Sequence, residues 1–187
     1  RFVAVVVGIG LVAGVLAMSN MSNVSADATT QSSNGGINGH VQLTVYGSDG
    51  LIKQYIQGDN AILNSGDNCI LEEVTGVDVG CTAGTIFNVV ALGTSGAAAA
   101  DDDAGLLGAT GDSVTGTYGA GSTATGAGGT ASASIVATFV DPGTATYREA
   151  ILSNSASTDA LARNTFTPAA LQGSDDIVIT WTVSIND

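Results

Sequence analysis

Positive charge is almost missing from this chain. Four Lys and Arg stand against 17 Asp and Glu, for a net charge of -13 and a pI near 4.1. Phosphate backbones are bound through Lys and Arg, so nucleic acid is not an expected partner. Histidine occurs once, as His40. A Ser-His-Asp arrangement therefore has one candidate base, and it lies in a polar, glycine-rich stretch. The cysteines are Cys69 and Cys81 alone. Together with His40 and a carboxylate, their spacing fits no zinc module. There is one Trp, and aromatics make up 5% of the chain, which argues against an aromatic-lined sugar cleft. GxSxG, P-loop and HExxH patterns are missing. Gly8-Ile9-Gly10 with Ala13 is no dinucleotide fingerprint, because it lacks a preceding strand and the final glycine. With no acid/base or nucleophile constellation visible, neither an enzymatic activity nor a cofactor is expected.

What the chain does have is an apolar opening. Phe2 to Met18 reads FVAVVVGIGLVAGVLAM, without a charge or a strongly polar side chain. As a helix it would be about 26 Å long, close to the hydrocarbon thickness of a bilayer. Met18, Met21, Val24 and Ala28 continue an apolar stripe at helical spacing, so a helix is expected over 1–30. Gly10 and Gly14 form a GxxxG pattern that lets helix backbones approach closely in an apolar setting. The run is expected to stay in the mature chain, with Phe2, Val6, Gly10, Leu11, Gly14 and Met18 as packing positions. A discarded secretion signal is the competing reading.

Residues 31–40 (QSSNGGINGH) read as a hinge, and a globular domain is expected over 41–187. Val41–Tyr46 and Leu51–Gln57 alternate around Gly47-Ser48-Asp49-Gly50, the signature of a β-hairpin. Ile177 to Ile185 also alternates, with Ile177, Ile179, Trp181, Val183 and Ile185 on one face. Further strands are expected at 61–63, 86–92, 132–140, 145–153 and 161–166. Residues 64–85 read as a loop with short strands, stapled if Cys69 and Cys81 form a disulfide, as export would favour. Two buried thiols are the alternative. Residues 93–131 are of low complexity, with a short helix possible around 97–107. The expected class is α+β: a long apolar N-terminal α-helix followed by an antiparallel, immunoglobulin-like β-sandwich.

Weaker signals remain. Asp101–Asp103, and Glu72-Glu73 with Asp67 and Asp78, are candidate cation sites by ligand type alone. Arg163 has Glu149, or an acidic residue of a neighbour, as a candidate salt-bridge partner. Asn20 and Asn23 head N-glycosylation acceptor triplets, and the Thr- and Ser-rich stretch 110–134 is a candidate for O-linked sugars.

An apolar N-terminal segment (Phe2–Met18), a short polar hinge and an acidic β-domain (41–187) resemble the archaeal type IV pilin and archaellin superfamily. The resemblance is architectural, and Val5 stands where bacterial type IV pilins usually have Glu. It implies a surface-filament subunit, held in the membrane before assembly and polymerising with many identical copies, for adhesion or motility. The competing expectations are a secreted or membrane-anchored β-sandwich binding module, a fibre subunit that donates a strand to its neighbour, and a viral tail- or coat-like subunit. A donated strand demands extended backbone somewhere in 29–45, paired to another copy.

Overall fold

The computed structural model describes residues 24–26, 36–81, 86–125, 129–154 and 159–186. Eleven strands and one helix follow in chain order: β1 (Val24–Ala26), β2 (Ile37–Tyr46), β3 (Ile52–Asp59), β4 (Ala61–Ile62), α1 (Asn64–Thr75), β5 (Val89–Gly93), β6 (Ala109–Thr115), β7 (Thr117–Tyr118), β8 (Thr130–Phe139), β9 (Thr146–Ser153), β10 (Ala160–Ala170) and β11 (Asp176–Asn186). They form two sheets. Sheet A is six-stranded, in the order β1-β3-β2-β11-β8-β7, and sheet B is five-stranded, in the order β4-β10-β9-β5-β6. All pairings are antiparallel except β1 with β3, which is parallel.

Period-two alternation makes the sandwich. On β2, Val41, Leu43 and Val45 are buried, while Gln42 faces solvent. On β11, Ile177, Ile179 and Trp181 are buried, and they pair in register with β2 on one side and β8 on the other. These residues meet Val90, Leu92, Ala150, Leu152, Ala162 and Phe166 of sheet B in the main core. Trp181 buries its indole because the ring N–H has a partner, Asn60 Oδ1 at 3.1 Å. The β2–β3 turn closes with Gly47 N donating to Leu51 O (2.8 Å) and Gly50 N to Gly47 O (2.8 Å). Gly50 takes φ 76°, a left-handed value that glycine adopts without strain.

The α+β expectation is corrected. The described chain is β throughout, apart from the single short helix α1. No described helix is long and apolar enough to cross a membrane. Val24–Ala26, inside the expected N-terminal helix, is a strand, with Val24, Ser25 and Ala26 opposite Tyr55, Ile56 and Gln57. Ser and Val are middling helix formers, and the open edge of β3 offers their backbone hydrogen-bond partners along one side. Residues 1–23 and 27–35 lie outside the described residues. With them go the packing positions Phe2, Val6, Gly10, Leu11, Gly14 and Met18, and the acceptor residues Asn20 and Asn23. The stretch read as a hinge ends in strand, since β2 starts at Ile37 and carries Asn38, Gly39 and His40.

Two local expectations also change. Residues 64–75, read as loop and strand, form α1. The helix packs on β10 through a glycine: a Cβ on Gly66 would stand 2.6 Å from the Leu161 Cα. Ser65 Oγ donates to the Ala160 carbonyl at 2.8 Å, and Gly76, at φ 68°, ends the helix by donating to Glu72 O at 2.7 Å. The stretch around 97–107 is not a helix; it is an ordered loop held over sheet B.

Candidate functional site

Charge gathers at one buried place, on the outward side of sheet B. Glu149 of β9 and Arg163 of β10 lie on neighbouring strands, and both are fully buried. Arg163 Nε donates to Glu149 Oε2 at 2.8 Å, and Nη2 lies 2.8 Å from the same oxygen. The remaining guanidinium donors reach the 94–108 loop. Nη1 donates to Asp103 Oδ2 (2.7 Å) and the Ala98 carbonyl (3.2 Å), and Nη2 to the Ala97 carbonyl (3.0 Å). Glu149 accepts from the same loop: Gly108 N at 2.7 Å, Ser95 N at 3.2 Å and Leu107 N at 3.2 Å. A buried ion pair is tolerable only when its remaining polar atoms are satisfied, and here the loop backbone satisfies them.

Apolar packing joins this clasp. Ala91 and Ile151 on the outward side of sheet B, with Ala61, Leu63 and Ala160, form a second cluster with Ala99 and Leu106 of the loop. Gly93 and Gly108 admit the carboxylate, because a Cβ on either would collide with it or with the loop: on Gly93 it would overlap the Glu149 side chain, and on Gly108 it would stand 2.7 Å from Ser95 N. The loop also ties to α1, with Asn64 N donating to Asp101 O at 2.8 Å. Burial pushes the Asp67 carboxyl above its ordinary range, and the Asp101 charge pushes it further.

The cation candidates read differently once placed. Asp103 accepts from Arg163 and from Ala100 N (2.8 Å), and Glu72 Oε2 accepts from Val79 N (3.2 Å) and Cys81 N (3.1 Å). These carboxylates are engaged by donors of the chain itself. Cys69 and Cys81 form a disulfide with Cα atoms 4.9 Å apart. Asp159 lies close to both sulfurs, but oxidised sulfurs offer no thiolate to a metal.

His40 sits on the outer face of sheet A, beside Asp59 of β3. Its Nδ1 lies 3.0 Å from Asp59 Oδ1 in an exposed pair. A cleft there is lined by Asn38, His40, Asp59, Asn60, Thr182 and Ser184. None of the described hydrogen bonds joins His40 to the Thr182 or Ser184 hydroxyl, so the arrangement stops at an Asp-His pair open to water. Sequence reasoning missed this neighbourhood, although the antiparallel register of β2 with β3 and β11 sets His40 opposite both Asp59 and Thr182.

Two other polar ties fix loops. Asp175 is buried and accepts from Lys53 Nζ at 2.6 Å and from Gln172 N at 2.8 Å, through its two oxygens. The lysine hydrogen bond first, then the backbone one, hold its carboxyl below the usual carboxylate range despite burial. The Tyr147 hydroxyl donates to Asp112 Oδ2 at 2.8 Å. Burial first, then that bond and the Asp112 charge, raise the phenol above its ordinary value.

No protein-family model, curated protein or solved structure matches this chain.

Proposed function

We propose that this chain is a structural subunit of an extracellular filament, a homopolymer of the general kind built by the archaeal type IV pilin and archaellin superfamily. Its apolar segment Phe2–Met18 holds the subunit in the membrane before assembly and is buried among neighbouring copies afterwards. The acidic β-domain lies outermost, where its net charge of -13 keeps the surface soluble. One observation carries the reading. The buried charged pair Glu149–Arg163, with Asp103, is bound up in holding a loop in place, and so is buried Asp175. None of them stands poised over a cavity as an acid, a base or a nucleophile. An apolar segment of this length needs a buried surface, which identical neighbours supply at roughly 25 cal/mol per Å².

Electron microscopy of the native material tests the reading. The expected result is filaments that persist on dilution, and that are lost when residues 2–18 are deleted while the β-domain still folds. Dispersed single particles of the intact chain would overturn it in favour of a membrane-anchored or secreted binding module.

A further inference from the structure

The edge of sheet A at β3 is closed by a strand from far outside the hairpin. Val24, Ser25 and Ala26 pair in parallel with Tyr55, Ile56 and Gln57. β3 itself runs from Ile52 to Asp59, so β1 closes only part of that edge. The segment joining β1 to β2 reads DATTQSSNGG, a polar tether with only Ala28 as an apolar side chain. Fully extended, it would reach about 33 Å. Six residues before Val24 lies Met18, the end of the apolar run.

From this placement we propose that β1 is exchanged between copies, the Val24–Ala26 strand of one chain closing the β3 edge of the next. The inference rests on the filament reading above and names its contact. An open strand edge presents unpaired N–H and C=O groups to any extended segment, and main-chain bonds then supply the affinity. The bonds are the same whether the strand comes from its own chain or from a neighbour, so local concentration decides between them. A filament that gathers the Phe2–Met18 segments brings each β1 within tether reach of neighbouring β3 edges. Exchange of an identical element is a low-cost route to a polymer, because it needs no new surface. The contact is heterologous, since each copy donates its β1 and accepts another at its β3 edge. Such a contact extends into an open chain wherever its rotation does not close a ring.

Crosslinking tests this on the full-length chain. Ala26 and Gln57 are directly opposite, and paired strands lie about 4.8 Å apart, within disulfide reach. Single variants Ala26→Cys and Gln57→Cys are mixed, allowed to assemble and oxidised. A double variant is treated alongside, and Trp181 fluorescence checks that each variant folds. The expected result is a disulfide between the two different variants in the mixture, and a ladder of linked chains from the double variant. Assembled filaments with an uncrosslinked mixture, and a double variant closed only within single chains, would overturn strand exchange and leave the filament reading standing. Folded filaments in which neither sample crosslinks would overturn it as well, by removing the β1–β3 pairing. Absence of any wild-type polymer would overturn the filament reading and the exchange with it.

Discussion

The two outer faces of the sandwich are built on opposite rules. Outside sheet B, a stretch made almost entirely of Gly, Ala, Ser, Thr and Asp is clamped down by a buried carboxylate and a buried guanidinium, with an apolar cluster beneath it. Outside sheet A, nothing in the described structure covers the strands. Gln42, Gln57 and Thr138 are exposed, and Thr44, Thr180, Thr182, Ser132 and Ser134 are partly so. On that face β3, β2, β11 and β8 present mainly amides and hydroxyls, with Val136 and Val178 among them and few charges, although the chain as a whole is strongly acidic. The difference shows how this protein obtains order. Where side chains are too small to pack a surface down, it uses long-range charge and backbone donors. Where a sheet already has its core on one side, it leaves the other side bare.

The comparison breaks most sharply at Arg163. Replacing it with Met strands Glu149 in the interior and is expected to cost about 3–5 kcal/mol, read as a lower urea midpoint. Replacing Glu149 with Leu as well is not expected to restore stability, because Gly108 N, Ser95 N and Leu107 N then lose their acceptor. Full recovery in the double variant would reduce the clasp to a simple ion pair. Limited proteolysis should find new cleavage within 94–108 in both variants and none in the strands of sheet A.

Next in size is the staple that ties α1, through Cys69, to Cys81 in the segment after it. Removing the disulfide by Cys69→Ala with Cys81→Ala is expected to lower stability by about 3 kcal/mol in the chain-entropy model. Amide exchange should rise in 64–81 first and leave β2, β3 and β11 protected. Uniform loss of protection would mean that α1 and the sheets unfold as one unit.

How much of this was legible depends on the distance between partners. The β2–β3 hairpin and β11 are visible as alternation in the chain itself, and their registers follow. Helix α1 is not visible: NSGDNCILEEVT has a glycine, two asparagines and an aspartate, and no side-chain cap at its start. It forms because Gly66 lets it lie directly on β10, a contact made 95 residues away. The 94–108 loop is opaque for the same reason, since Glu149 and Arg163 order it from more than 40 residues away. One local signal was present. Glu149 and Arg163 each border an apolar run of strand, Ala150-Ile151-Leu152 after the one and Ala160-Leu161-Ala162 before the other, in a chain with only four basic residues. A charge in such a setting is buried with a partner or not tolerated at all. Helical periodicity misleads at Val24–Ala26, which takes the conformation of the edge it meets.

Acid sharpens the contrast from the side of sheet A. Asp175 is tied to Lys53 on β3, and its carboxyl lies lower in the folded chain than in the unfolded one. Its contribution is therefore complete above the unfolded value of about 3.9, and is lost as pH falls through the folded value. The Asp175→Asn variant should consequently lose more stability at neutral pH than at the acid end, where the wild-type carboxyl is protonated too. A wild-type-minus-variant difference that stays constant from neutrality to pH 2 would refute that linkage.

The smallest expected effect lies on the bare face. Thr180→Ala and Gln42→Ala remove side chains that support no described hydrogen bond, and each should change stability by no more than about 0.5 kcal/mol. The measurement that gives this result meaning is assembly. If only the apolar segments and β1 exchange join the copies, filaments of both variants form as readily as wild type, because neither contact crosses the face of sheet A. Variants that keep their urea midpoints yet fail to form filaments would show that the face itself is buried between copies. The sparsely charged surface would then serve the approach of one acidic chain to another, and the strand at the edge would be a fastener added to a broader interface.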